Sequence, residues 1–187
     1  MPKRPWRCYR ELTKRAYVKK QKKTKKMRRL YVKGVPDPKI RIFTMGKRNP
    51  EFDYVVKLTI NEIGNINNLS LEAARIASNR YLRKNLGTSN YYLKILLYPF
   101  HVIREHKMMT FAGADRLQDG MRRAFGKPCG TAVRIRKIPK DIMLVKVKKQ
   151  NLEIAKEALR RAKHKFPLKS SISILTSEEY KQAGGVF

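Results

Sequence analysis

NLEIAKEALRRAKHKFPLKSSISIL, residues 151–175, reads as one helix followed by one strand. Asn151 stands at the N-cap, and Glu153 lies in the first turn, where a carboxylate faces the positive end of the helix dipole. Ala155, Ala158, Leu159, Ala162 and Phe166 recur at i, i+3, i+4, i+7 and i+11 as one apolar stripe, and Pro167, which cannot donate a backbone hydrogen bond, stops the helix. A β-rich run, Ile172 to Leu175, follows. SLEAAR at 70–75 opens a second unit of the same kind, capped by Ser70. It should bury Leu71, Ala74, Ala77 and Tyr81, end at Gly87, and lead into the β run Tyr91 to Tyr98. Two such units predict an α+β sandwich in which two helices pack on one mainly antiparallel sheet.

Other strands read by alternation. Residues 53–62, DYVVKLTINE, place Val56, Leu58 and Ile60 on one face, and Asn and Gly residues at 64–68 close the strand. Gly34-Val35-Pro36-Asp37-Pro38 makes a turn before the alternating Ile40-Arg41-Ile42-Phe43, and Asn49-Pro50 marks another. TAVRIRK at 131–137 and IMLVKVK at 142–148 predict a hairpin turning at Pro139-Lys140-Asp141. Val133, Ile135, Val145 and Val147 would line its apolar face. Arg134, Arg136, Lys146 and Lys148 would line a cationic face suited to phosphate.

Charge dominates the rest. Forty-five Lys plus Arg face 14 Asp plus Glu, a formal net charge of +31 on 187 residues, although 42% of the residues are apolar and can form a core. Such an excess calls for a polyanion, and nucleic acid is the first candidate. It is concentrated in residues 1–33, with fifteen Lys or Arg against Glu11 alone, a segment too poor in core residues to fold independently. KKQKKTKKMRR at 19–29 should be disordered until it meets RNA. The segment is expected to be an RNA-threading arm before a single domain at 34–187. Its phosphate contacts would be Arg4, Arg7 and Arg10, then Lys19, Lys20, Lys22, Lys23, Lys25, Lys26, Arg28 and Arg29, with Trp6, Tyr9, Tyr17 and Tyr31 free to stack on bases.

Residues 99–130, PFHVIREHKMMTFAGADRLQDGMRRAFGKPCG, read as a long loop running into a short helix. Here the chain resembles the universal large-subunit ribosomal protein family called L-sixteen in bacteria and L-ten-e in archaea and eukaryotes. PFHVIR, KMM, AGADRLQ, GMR and AFGKPCGT carry the likeness, as do RPWRCYRE, GVPDPKIRIF, LEAARIASNRYL and EALRRAKHKFP, all in the family's order and on its archaeal and eukaryotic side.

The resemblance implies a non-catalytic protein of the large subunit with an α/β hammerhead-like fold, bound to large-subunit rRNA near the 5S RNA and the tRNA cleft, among neighbouring ribosomal proteins. By motif match the family's loop toward the peptidyl-transferase region and the tRNA acceptor arms corresponds to 105–118. Its tRNA-proximal part would be Lys107, Met108, Met109, Thr110, Phe111, Ala112, Gly113, Ala114, Asp115 and Arg116. Arg104, Lys107, Arg116, Arg122, Arg123 and Lys127 then fall where phosphate is expected. Ala112, Gly113 and Ala114 would let the backbone approach RNA closely, and Met108, Met109 and Phe111 would touch bases or sugars.

Enzymatic readings lack their residues. Gly120 to Pro128 has five residues between its glycines where a Walker loop has four, and Pro128 replaces the Mg²⁺-binding hydroxyl. His101 and His106 are five apart, one too many for H-E-x-x-H. Asp115 and Asp119, crowded by arginines, suit capping and charge pairing. Cys8 and Cys129 have no second ligand at zinc spacing and are far apart, so neither a metal, a cofactor nor a disulfide is expected. An RNA-modifying enzyme would need an acid/base pair, and a membrane-surface protein an amphipathic helix beside the cations. No run approaches a membrane span of about 18 residues, and the basic start lacks the apolar stretch of a secretory signal, so the expected location is the cytoplasm.

Overall fold

Asn67 ends a short strand and caps the first long helix at once, its side chain accepting from the Leu69 N–H at 3.3 Å. In the computed structural model, which describes residues 5–12, 19–23, 27–31, 34–48, 52–105 and 126–184, a 3-10 turn spans Trp6–Tyr9. Strands β1 (Lys19–Lys23), β2 (Met27–Tyr31), β3 (Thr44–Gly46), β4 (Tyr54–Ile60) and β5 (Gly64–Asn67) follow. Next come α1 (Asn68–Leu86), β6 (Tyr91–Ile95), β7 (His101–Glu105), β8 (Lys127–Ile135) and β9 (Lys140–Val147). The last elements are α2 (Leu152–Lys163), β10 (Ser170–Thr176) and a short α3 (Ser177–Gln182).

The architecture is α+β and its strand pairings are antiparallel. A five-stranded sheet runs β10-β4-β9-β6-β3, a three-stranded one β5-β8-β7, and β1 pairs with β2 alone. Helices α1 and α2 pack side by side over the same core. Alternation supplies that core as read: Val56, Leu58 and Ile60 of β4 and Val145 and Val147 of β9 are fully buried with Leu93 of β6. Burying a side chain such as Leu58 contributes about 1.5–3 kcal/mol. Ala155, Ala158, Leu159 and Ala162 of α2 are buried as its stripe predicts, with Phe166 beyond its end. Each strand that follows a helix joins the partner of the other unit: β6, after α1, pairs with β9, and β10, after α2, pairs with β4.

Several expectations need correction. Strands β8 and β9 do not form a hairpin; β8 pairs with β5 and β7, β9 with β4 and β6, and the turn between them carries the chain from one sheet to the other. Alternation identifies a strand but not its partner, since pairing is decided by non-local packing. Helix α1 begins at Asn68, capped by Asn67, because Gly64–Asn67 is itself a strand that hands the chain directly to the helix. Its buried stripe is Leu71, Ala74, Ser78 and Leu82, while Tyr81 is half-buried, as is Ala77. Ser78 is admitted because its hydroxyl donates to the Ala74 carbonyl at 2.8 Å. The strand expected at 40–43 lies at Thr44–Gly46, with Ile40 serving as a core anchor ahead of it. The run at 19–29 was expected to be disordered, yet β1 and β2 pair backbone to backbone there, Lys19 opposite Tyr31 and Lys23 opposite Met27.

Candidate nucleic-acid interface

The central segment leaves and re-enters the fold at one place. β7 and β8 are antiparallel, with Glu105 opposite Lys127, so the described residues that flank 106–125 stand side by side. Arg104 ties this neck together, its Nη1 donating to the Gly126 carbonyl at 2.9 Å, and burial holds its pKa below the ordinary value. Pro128 lies opposite Arg104, where the register is irregular; a residue without an N–H cannot complete the ladder there. Lys127 is exposed beside it. The strand β8 thus starts four residues before the stretch that alternation marks out.

Of the other cations expected to meet phosphate, Arg136 and Lys148 are exposed, Arg134 is half-buried in β8, and Arg7 is exposed on the N-terminal turn. Arg10 is committed within the protein, paired with Glu62 at 2.5 Å. Glu62 also accepts from the Lys169 N–H at 2.9 Å, and its pKa is lowered first by that bond and then by Arg10. Lys146 does not belong to an exposed cationic face. It is only 4% exposed, because α3 and Tyr180 cover that side of the sheet. Lys19, Lys20, Lys22, Lys23, Arg28 and Arg29 lie on β1 and β2. Arg4, Lys25, Lys26, Lys107, Arg116, Arg122 and Arg123, and the whole tRNA-proximal stretch 107–116, lie outside the described residues.

The N-terminal turn is bound to the body. Asn65 donates from Nδ2 to the carbonyls of Tyr9 (3.0 Å) and Glu11 (2.7 Å), its backbone N–H donates to Arg10 (2.8 Å), and its carbonyl accepts from Trp6 Nε1 at 3.3 Å. Gly64 permits this approach. A Cβ there would lie 2.9 Å from the Arg10 carbonyl and 2.8 Å from Leu168 Cδ2.

Helix α1 supplies a surface that the sequence reading left out. Arg75, Ile76, Asn79, Arg80, Arg83 and Lys84 line an open groove along its outer side. Arg75 is neutralised by Glu72 through Nε at 2.9 Å, while Arg80, Arg83 and Lys84 are exposed and have no acidic partner among the described residues. Their spacing, i, i+3, i+4, was the available signal. The outer side of α2 differs. Lys156 meets Glu153 at 2.6 Å, and Arg160 and Arg161 meet Glu157 at 2.7 and 3.0 Å, which lowers the Glu157 pKa. Among the described residues α2 sets three of its four cations against acids, and α1 only Arg75 of its four. Among the described residues no group of three His, Cys, Asp or Glu side chains is placed to hold a metal, and no helix is long and apolar enough to cross a membrane.

A cationic neck, a basic helix and a chain of net charge +31 fit a polyanion. The profile of the family described as ribosomal protein L16p/L10e matches residues 18–173. The chain belongs to the ribosomal protein L16p/L10e family. It is 48% identical over 176 residues to the large ribosomal subunit protein uL16 of Saccharolobus solfataricus, covering 94% of each chain. To the protein of the same name from Sulfolobus acidocaldarius it is 50% identical over 175 residues, covering 93% of this chain and 94% of the relative. A Saccharolobus islandicus relative is 47% identical over 183 residues, 97% of this chain and 98% of its own. The groove on α1 and the neck at β7 and β8 are two places where the described surface carries exposed cations.

Proposed function

We propose that this protein is a structural, non-enzymatic constituent of the large ribosomal subunit in the cytoplasm, binding large-subunit rRNA among neighbouring ribosomal proteins. Family membership and relatives named as large-subunit proteins support the assignment. The basic residues before 34 act as an arm along RNA, and the body at 34–187 has a hammerhead-like arrangement of two helices over a sheet. In the subunit the body lies near 5S rRNA and the tRNA cleft. The segment 105–118 reaches toward the peptidyl-transferase centre and helps to place tRNA acceptor arms, with Lys107, Arg116, Arg122 and Arg123 on phosphate.

The observation that carries this reading is the antiparallel pairing of β7 with β8, Glu105 opposite Lys127, which puts Arg104 and exposed Lys127 on the two strands that flank residues 106–125. Reconstituted large subunits carrying Lys107→Glu test it. The variant should fold and join the subunit while tRNA binding weakens. Failure of the wild-type chain to sediment with large subunits would overturn the assignment, and unchanged tRNA binding by the variant would remove the role of the loop.

A further inference from the structure

Three rings climb out of the core, Phe43 just ahead of β3 and Tyr98 and Phe100 between β6 and β7. Phe43 packs against the main cluster, Tyr98 stacks on Phe43 at 5.4 Å between centroids and 28° between planes, and Phe100 leans on Tyr98 at 4.5 Å and 49°. Exposure rises outward, from a half-buried Phe43 through 44% at Tyr98 to 81% at Phe100. Isolated exposed hydrophobic residues are ordinary, but a graded stack that ends in an almost uncovered ring leaves one aromatic face without a partner among the described residues.

The stack is held in place. The Phe100 N–H donates to the Tyr98 carbonyl at 3.0 Å around buried Pro99, whose φ is fixed by its ring. The Phe43 carbonyl accepts from Ile95 at 2.8 Å, which ties the lower ring to the end of β6. The conformational entropy of ordering the platform is therefore already spent before anything binds. Exposed cations occur on the segments next to those that carry the rings. Arg41 is exposed two residues before Phe43. Leu96 donates to Ile142 at 2.8 Å, setting this segment beside the start of β9, whose approach carries exposed Arg136, Lys137 and Lys140.

We propose that Phe43, Tyr98 and Phe100 form a stacking platform for one unpaired base of large-subunit rRNA, with Phe100 as the receiving ring. The proposal rests on the rRNA-binding reading and names a contact within it. A base offers a flat π face, and the phosphates on either side of it would meet the surrounding cations; an apolar protein segment would satisfy the rings and leave those cations unanswered.

Full-length Phe100→Ala and Phe100→Trp chains, titrated with purified large-subunit rRNA over a range of salt, give the test. Stacking on a base releases no counterions, so Phe100→Ala should weaken binding about 5- to 100-fold at every salt concentration with the log-log slope unchanged, and Phe100→Trp should retain affinity. A photo-crosslinking phenylalanine analogue at position 100 should mark an unpaired nucleotide in assembled subunits. Equal affinity of Phe100→Ala and wild type, a changed slope, or crosslinks to protein alone would overturn the platform. Wild-type chain that fails to bind the rRNA would instead overturn the rRNA-binding reading itself.

Discussion

The Nζ of Lys146 lies 5.6 Å from the ring centroid of Tyr180 and 5.8 Å from that of Tyr92, on the side of the five-stranded sheet away from α1 and α2. Register sets this neighbourhood: Lys146 stands between Val55 of β4 and Tyr92 of β6, and Tyr180 of α3 closes over Val55 and Leu144. The lysine is pulled from 10.5 down to about 8, by burial first and then by Lys94, Arg48 and Lys181.

Below pH 8 this lysine is charged in both states, and the cost of burying the charge is present in full. Between about pH 8 and 10.5 the unfolded chain still holds the proton that the folded chain has lost, so the contribution of Lys146 to stability rises with pH. Tyr180, its pKa raised mainly by burial, opposes the trend above its ordinary 10. Lys146→Met should stabilise the protein at pH 7 by about 1–2 kcal/mol and flatten the rise between pH 8 and 9.5 in urea denaturation. A less stable variant at pH 7 would show that the fold uses the charge.

Asn65 fastens the N-terminal turn to β5 through two side-chain bonds, to Tyr9 and Glu11. Asn65→Ala should cost about 1–3 kcal/mol, since two carbonyls lose their donor. It should also speed tryptic cleavage at Arg7 and Arg10, while the circular dichroism of the body stays unchanged. Equal protection in both proteins would assign the attachment to Trp6 and the backbone bonds instead.

Arg80, Arg83 and Lys84 offer charge that no described acid neutralises. If each meets one phosphate, replacing all three by Ala should reduce the salt slope of rRNA binding by about 2 to 3, with stability altered by less than about 0.5 kcal/mol. An Arg160→Ala and Arg161→Ala pair on α2 should change the slope less, because Glu157 already holds both arginines. Equal effects from the two helices would contradict the distinction.

Helices α1 and α2 pack against each other over one core. Ala155, Ala158 and Ala162 are fully buried, and Arg161 lies 3.9 Å from the centroid of the Tyr81 ring, bridging the pair. Ala158→Leu should cost about 1–3 kcal/mol by overpacking, read as a lower midpoint of chemical denaturation. Arg161→Ala, at a more exposed site, should cost about 0.5–1 kcal/mol.

By itself the sequence determined what is local or additive: the stripe of α2 from Ala155 to Phe166, the alternation of β4, the charge excess that demands a polyanion, and the motifs that place the chain in its family. Each follows from spacing along the chain or from a sum over it. The tertiary structure alone decided that β8 and β9 go to different sheets and that Lys146 is covered. Alternation correctly put Lys146 opposite Val145 and Val147. Whether that opposite face meets water or a second layer depends on Tyr180, thirty-four positions further on, and period-two spacing carries no information about contacts at such separation. The aromatic stack has the same origin: Phe43 and Tyr98 share a surface because β3 and β6 are paired, which neither local sequence could announce.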